Sequence, residues 1–184
     1  MRKGGQKQKG NRHQSAVGKI FTKAYYPDIT GEFRNTPGSG GWDKRIAPGD
    51  IQPFFFKHFS HKHMTLDSSF PFSVECKDWK DENVKHIFSG LYSKPSQIYD
   101  WLEQSMNDAS ASGKVALVVF KLYRTENVAL MHYASWFKLG AIHGKFPELI
   151  YKVSGGPHSI VFVSLLHFVE WIDWEYYKKG GKSI

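Results

Sequence analysis

The stretch FPFSVECK, residues 70–77, predicts the strand around which the rest of the chain is organised. From Ser73 to Lys77 its polar and apolar residues alternate, as they do in a strand that has one buried face. Val74 and Cys76 lie on one face of such a strand. Glu75 and Lys77 lie on the opposite face, so a carboxylate and an ammonium group point into the same space.

A second carboxylate comes from Asp50, which lies earlier in the chain between Gly49 and the apolar Ile51. Two acidic groups and a nearby lysine are suited to a divalent-metal hydrolase of phosphodiesters. Carboxylates hold a hard ion such as Mg²⁺, and the ammonium group contacts a water molecule or a phosphate oxygen. Asp50, Glu75 and Lys77 are therefore the candidate active site.

Four segments of the chain resemble, in order and spacing, the PD-(D/E)xK nuclease superfamily. Within it they resemble the archaeal-type Holliday junction resolvases and their bacteriophage relatives. The matching segments cover roughly the first half of the chain and are Lys9–Arg12, Phe33–Trp42, Gly49–Ile51 and Phe70–Lys77. A single Glu-x-Lys triplet arises often by chance, and the ordered set of four is what carries the resemblance.

The resemblance implies an α/β fold in which a mixed central β-sheet is flanked by helices, a restriction-endonuclease-like core. It also implies a homodimer that nicks two symmetry-related strands of a four-way junction in DNA recombination. A phage genome is the implied source. Mg²⁺ is the implied cofactor, with Mn²⁺ as a substitute.

One position departs from the family pattern. Gln14 stands on the first helix, where the resembled family usually has a glutamate that supplies a third carboxylate. A neutral amide can coordinate a metal through its oxygen or position a water molecule, but it lowers the negative charge of the site. We expect weaker metal affinity as a result, with Glu32 as a less favoured substitute.

Further site residues are implied by the same resemblance. Arg34 and Ser39 lie beside the active site in the resembled resolvases, Ser39 in a glycine-rich loop whose amides can approach a phosphate. Gln104 occupies a helix in which the family often carries a glutamine near the site, although a solvent-facing position is an equal alternative. Lys121 ends a strand where related chains often carry a basic residue.

The charge of the chain indicates a polyanionic partner. The formal net charge is +8 over 184 residues, and no acidic residue precedes Asp28. We expect residues 1–10 to be a flexible basic arm that follows DNA phosphates, with Lys9 and Arg12 as contacts, although a solvated tail is the alternative. Residues 11–178 are expected to form a single nuclease domain, and residues 179–184 a polar tail.

The remaining composition is typical of a globular protein inside the cell. The only cysteine, Cys76, excludes an internal disulfide, and no apolar run approaches the length that spans a bilayer. We expect a cytoplasmic location, in the host cell if the gene is carried by a phage, and no membrane partner. His58, His61 and His63 match no common zinc site, and a hairpin loop is the simpler interpretation.

Apolar spacing predicts the other elements. A helix starts at Asn11 as N-cap and ends before Pro27, and a second runs from Ser96 to about Gly113. Strands are predicted at 32–35, 115–120, 127–133 and 159–163, the second of them buried on both faces, followed by one helix over 165–177. The connection that contains Trp136 and residues 140–147 has no assignment.

The resulting hypothesis is a metal-dependent endonuclease. Asp50 and Glu75, together with the backbone carbonyl of Cys76 and with Gln14, hold the metal, and Lys77 orients the attacking water. Ser39 assists at the scissile phosphate, and Arg34 stabilises the charge of the transition state.

Other interpretations of the same residues stay open. One is a restriction or nicking endonuclease of the same superfamily that acts on linear duplex. A second is a non-catalytic DNA-binding module in which Gln14 marks a decayed site. In the third, the candidate residues are ordinary surface residues at a sheet edge.

Overall fold

Two β-sheets form the framework of the protein. The computed structural model describes residues 4–36, 49–56, 64–78, 97–121, 126–149, 151–153 and 159–181. The smaller sheet is antiparallel, in the order β1-β2-β3, and its strands are β1 Gly31–Asn35, β2 Ile51–Phe56 and β3 Met64–Leu66. The larger sheet has the order β4-β5-β6-β8-β7, and its strands are β4 Phe72–Asp78, β5 Val115–Lys121, β6 Asn127–His132, β7 Tyr151–Val153 and β8 Ile160–Ser164.

The larger sheet is mixed. β4 and β5 pair in parallel, whereas β5–β6, β6–β8 and β7–β8 pair antiparallel. Parallel neighbours need a crossover connection, and the segment between β4 and β5 contains a helix. The described helices are α1 Gly4–Tyr25, α2 Gln97–Ser110, α3 Tyr133–His143, α4 Leu165–Trp171 and α5 Trp174–Lys178.

The second strand of the larger sheet, β5, is buried on both faces. On β5, Leu117 and Val119 pack into a core with α1, α4 and α5, whereas Val118 and Phe120 pack against α2. All four are at most 1% exposed, which confirms the prediction of a central strand. The α/β fold class with a mixed sheet between helices is therefore confirmed, and it is compatible with a restriction-endonuclease-like core.

An aromatic cluster fastens α1 to both sheets. Tyr25 and Phe70 form an edge-to-face pair with ring centroids 5.5 Å apart, and Phe33 of β1 packs on Phe70 at 4.8 Å. Edge-to-face pairs of this kind stabilise a core beyond their buried area. The first helix is thereby held across the junction between β1 and β4.

Two predicted helices differ in extent from the observed ones, and a further helix lies in the connection that had no assignment. α1 begins at Gly4 and not at Asn11, because the arm contains good helix formers such as Gln6 and Lys7 and no proline. The unassigned connection contains α3, which begins where the side chain of His132 accepts a hydrogen bond from the Ala134 N–H at 3.2 Å.

The predicted C-terminal helix is interrupted. It is two helices, α4 and α5, because Ile172 is extended and Asp173 then starts a new turn by accepting the Tyr176 N–H at 3.2 Å.

Some of the predictions concern residues or properties that the structure does not describe. Ser39 and the three histidines of residues 58–63 fall outside the described residues. The flexibility of residues 1–10 and the division into arm, nuclease domain and tail stay predictions. Among the helices that the structure describes, none combines the length and the apolar character needed to cross a membrane.

Candidate active site

β4 places Glu75 and Lys77 on the face of the sheet that is covered by α2. Val74 and Cys76 point to the opposite face, into the core with α1, as the alternation predicted. Glu75 is buried, at 7% exposure, and its Oε1 accepts a hydrogen bond from Lys77 Nζ at 2.6 Å. The carboxylate and the ammonium group therefore form an ion pair at the edge of a hydrophobic core.

Asp50 reaches this strand through main-chain contacts. Gly49 forms a parallel bridge to Val74, and the Asp50 N–H donates to the Val74 carbonyl at 2.7 Å. The carboxylate of Asp50 then accepts the Cys76 N–H at 2.8 Å. Both the backbone and the side chain of Asp50 are thus fixed to β4, which brings Asp50 beside Glu75.

Gly49 is needed at this bridge for two reasons. Its φ of 86° lies in the left-handed region, which side chains disfavour. A Cβ at this position would lie 2.5 Å from the Val74 carbonyl oxygen and 2.8 Å from the Val74 nitrogen. Only a glycine permits so close an approach of the two backbones.

Thr36 holds the other side of Asp50. Its N–H donates to the Asp50 carbonyl at 2.8 Å, and its Oγ1 donates to the Gly49 carbonyl at 2.9 Å. Thr36 directly follows β1, so the two hydrogen bonds tie the end of that strand to the start of β2. Sequence reasoning missed this residue, because only the register of β1 against β2 places it opposite Asp50.

α2 supplies Gln104 to the same cluster. Its Oε1 accepts from Lys77 Nζ at 3.3 Å, and its Nε2 donates to Glu75 Oε1 at 3.4 Å. The amide of Gln104 bridges the two members of the ion pair and fixes the orientation of the Glu75 carboxylate and of the Lys77 ammonium group. Of the two alternatives for Gln104, the structure therefore has the one beside the site.

α1 contributes Gln14, whose side chain hydrogen-bonds the Asp50 carboxylate. An amide that meets a carboxylate donates through its NH₂ group and leaves its own oxygen free. The position that the resembled family fills with a third carboxylate is therefore a hydrogen-bond donor to the first one. Among the residues that the structure describes, no three His, Cys, Asp or Glu side chains form a metal-binding group.

Burial and mutual repulsion control the charges of the two carboxylates. Burial raises the pKa of Asp50, while the Cys76 N–H, Lys77 and Gln14 counter this rise. Burial also raises the pKa of Glu75, as does the Asp50 carboxylate, with Lys77 acting against both. Two acids whose pKa values are raised in this way gain from a cation placed between them.

Asp108 is a further acidic group near the site. It raises the pKa of both Asp50 and Glu75 through its negative charge. It follows Gln104 by four residues on α2, so the two side chains share one helix face. That spacing is the signal by which the sequence alone indicates its proximity once Gln104 is placed in the site.

The residues predicted to contact DNA are spread over three elements, α1, β1 and β5. Lys121 ends β5 in register with Asp78, one position beyond Lys77, and is exposed. Arg12 is exposed on α1 and precedes Gln14 by two residues. Arg34 is exposed on β1 and its Nε donates to Glu32 Oε1 in an ion pair. Lys9 lies within α1.

The Cys76 backbone carbonyl was a predicted metal ligand. In a strand, the N–H and C=O of one residue point to the same side. Because the Cys76 N–H faces Asp50, its carbonyl faces Asp50 as well and not the ladder with β5. Asp50, Glu75, Lys77, Gln14 and Cys76 therefore converge on one region at the edge of β4.

Comparisons with known proteins give one match. The model of a family described as "Phage putative PDDEXK endonuclease" matches residues 5–154. Neither the curated proteins nor the solved structures contain a significant match to this chain. The matched range includes every described element from α1 to β7, and with them all of the converging side chains.

We predict that Gly49→Ala displaces Asp50 from β4. The added Cβ collides with the Val74 backbone, so we expect a loss of about 1–3 kcal/mol in the free energy of unfolding. A displacement near 1 Å lowers a catalytic rate by about 100-fold. Urea unfolding and DNA cleavage rates measure the two effects.

The matched control is Gly113→Ala, which has the same kind of backbone with φ of 66° but open space around the added Cβ. It should lose stability without losing cleavage. A Gly49→Ala enzyme that cleaves DNA at the wild-type rate would contradict the role given to this bridge.

We also predict a pH-dependent gain of stability from Asp50→Asn in EDTA. Because burial raises the pKa of Asp50 in the folded state, the wild type loses stability as pH rises from the ordinary aspartate pKa through the raised one. Asparagine does not ionise, and its oxygen still accepts the Cys76 N–H. Urea unfolding at a series of pH values should show the variant's advantage growing with pH, whereas a constant difference would argue against it.

Proposed function

Because the chain belongs to the family of phage PDDEXK endonucleases, we propose that it is a metal-dependent endonuclease for branched DNA, above all for Holliday junctions. The observation that carries this proposal is the convergence of Asp50 and Glu75 with Lys77 at one strand edge. The nuclease activity and the DNA substrate follow from the family. The junction specificity rests on the resemblance to resolvases and on the basic charge of the chain.

The donor set suits a hard divalent cation. Asp50 and Glu75 offer carboxylate oxygens, and the Cys76 carbonyl faces the same region. Nucleases of this superfamily generally use divalent metals, and we propose Mg²⁺ with Mn²⁺ as a substitute. When bound, such an ion lowers the pKa of a coordinated water and offsets the negative charge of the phosphate.

Lys77 is placed to position the nucleophile and not to act as a free base. Its ammonium group is held by Glu75 Oε1 at 2.6 Å and by Gln104 Oε1 at 3.3 Å. An ammonium group has three N–H donors, so one is left to direct a water molecule or a phosphate oxygen. Its positive charge also offsets the charge that develops on the phosphate in the transition state.

Gln14 sets the metal affinity of the site. Since it donates to Asp50 and carries no charge, the protein holds the metal with two carboxylates where the resembled resolvases use three. Fewer anionic ligands bind a divalent cation less tightly. We therefore propose an enzyme that needs more Mg²⁺ than its relatives, with Gln14 orienting Asp50.

DNA recognition is proposed to depend on backbone charge and shape. Arg12, Arg34 and Lys121, with Lys9 and Ser39, are the proposed contacts to phosphates. The sequence carries no recognisable motif for reading bases in the major groove. A homodimer would present two such sites to the two-fold symmetry of a four-way junction.

Cleavage of a labelled mobile four-way junction, beside a linear duplex of the same sequence, tests the function. We expect paired symmetric nicks in the junction with Mg²⁺ or Mn²⁺ and none in EDTA. Asp50→Asn should abolish them, whereas Glu170→Gln, an exposed carboxylate on α4, should cleave as the wild type does.

Two other results would change the proposal. Equal cutting of both DNAs would keep the endonuclease and remove the junction specificity, in favour of a restriction or nicking enzyme. A junction that is bound but never cut with either metal would favour a non-catalytic binding module.

Gln14→Glu tests the role of the neutral amide. The added carboxylate increases the negative charge of the site, so we expect severalfold less Mg²⁺ for half-maximal cleavage and lower stability in EDTA. Gln14→Ala should require more Mg²⁺ because Asp50 loses its donor. If the glutamate variant also requires more Mg²⁺, Gln14 serves only to orient Asp50.

A further inference from the structure

A groove runs between α1 and β1, outside the cluster of catalytic residues. Its volume is about 510 Å³, and its lining is mainly apolar surface, with polar and charged side chains of both elements along it. Those that bear on its chemistry are Ser15, Lys19, Lys23, Glu32, Arg34 and Asn35. None of these six belongs to the ion pair, the carboxylates or the amides of the active site.

The floor of the groove is built by a close approach of helix and strand. Gly18 faces β1, and a Cβ there would lie 3.3 Å from the Phe33 carbonyl oxygen. Thr22 completes the contact, because its Oγ1 accepts the Phe33 N–H at 2.9 Å and donates to the Gly18 carbonyl at 2.8 Å. The floor is therefore rigid, and the exposed side chains of α1 stand above it as a wall.

The walls are predominantly basic. Lys19 and Lys23 are exposed and lie one helical turn apart, about 6 Å along α1. Within the described part of the chain neither lysine has an ion-pair partner. Arg34 is paired with Glu32, the one acidic side chain among the described residues of the lining. Two lysines that have no ion-pair partner among the described residues therefore line an open groove whose remaining surface is mainly apolar.

One end of the groove meets the active site. Ser15 Oγ donates to Asn35 Oδ1 at 3.5 Å across this end, and Ser15 directly follows Gln14. Asn35 directly precedes Thr36, whose N–H holds the Asp50 carbonyl at 2.8 Å. Two lining residues, Ser15 and Asn35, are thus next in sequence to residues that contact Asp50.

We propose that this groove binds the sugar–phosphate backbone of the substrate DNA next to the cleaved bond, with Lys19 and Lys23 each neutralising a phosphate. The inference rests on the proposed function, because it takes the cleaved strand to cross Asp50. Exposed lysines on flexible stems bind phosphate as point charges and carry no base specificity. Such contacts extend the grip on DNA from Arg12 along α1 by about three helical turns, as far as Lys23.

The test is the salt dependence of DNA binding in EDTA, where cleavage does not interfere. Fluorescence anisotropy of a labelled junction and of a duplex gives Kd for the wild type and for Lys19→Ala/Lys23→Ala. Each lost phosphate contact lowers the slope of log K against log salt by about 0.9, so the double variant should lose about 1.8. The ratio of the Kd of the double variant to the Kd of the wild type should therefore fall about twelvefold when salt is raised from about 50 to about 200 mM.

The matched control removes the same charge elsewhere. Lys138→Ala/Lys145→Ala neutralises two exposed lysines on and after α3 and should keep the wild-type slope. Lys19→Arg/Lys23→Arg should restore the slope that the alanine variant loses. This rescue separates a charge effect from a loss of folding.

The outcomes for the groove and for the enzyme are separable. If the two double-alanine variants have equal slopes and the wild type cleaves DNA with metal, the proposed role of the groove is wrong and the nuclease function is kept. If the wild type never cleaves DNA but Lys19→Ala/Lys23→Ala loses slope as expected, the groove is kept as a DNA-binding site and the catalytic function is rejected. An arginine variant that binds as poorly as the alanine variant also overturns the proposal.

Discussion

The hydrogen bond from the Cys76 N–H to the Asp50 carboxylate, 2.8 Å long, is the contact on which the site depends. Together with the Gly49–Val74 bridge, which includes the bond from the Asp50 N–H to the Val74 carbonyl, it joins the start of β2 to β4. These links join the small antiparallel sheet to the large mixed one. The same contacts that connect the two sheets therefore bring the two candidate carboxylates together, so damage to this junction affects both the fold and the candidate site.

The site holds its charges at the edge of a hydrophobic core, which costs stability. Burial raises the pKa of both Asp50 and Glu75, the charge of Asp50 raises the pKa of Glu75 further, and Asp108 adds a third negative charge nearby. Lys77, Gln104 and Gln14 offset part of this cost with hydrogen bonds. A cation would offset the remainder, which is the usual compromise between the stability of a protein and a functional cluster of like charges.

Much of the larger sheet was predictable because its strands have short apolar runs with clear ends. β5 was placed within one residue, and the faces of β4 were correct because alternation separates Val74 and Cys76 from Glu75 and Lys77. Helix boundaries were harder. The start of α1 was wrong because helix propensity carries it through a polar segment, and the break before α5 depends on a cap at Asp173 that apolar spacing does not register.

The sequence by itself determined the strand that presents Glu75 and Lys77 on one face, because the period of a strand is local and a carboxylate beside a lysine can be read from it. The resemblance added Gln14, Gln104 and Arg34 as candidates. Only the tertiary structure decided that Gln14 donates to Asp50, that Thr36 fixes Asp50, and that Lys19 and Lys23 border a groove ending at the site. These are contacts between segments far apart in the chain, and their geometry follows from how helix and sheets pack, which no local pattern encodes.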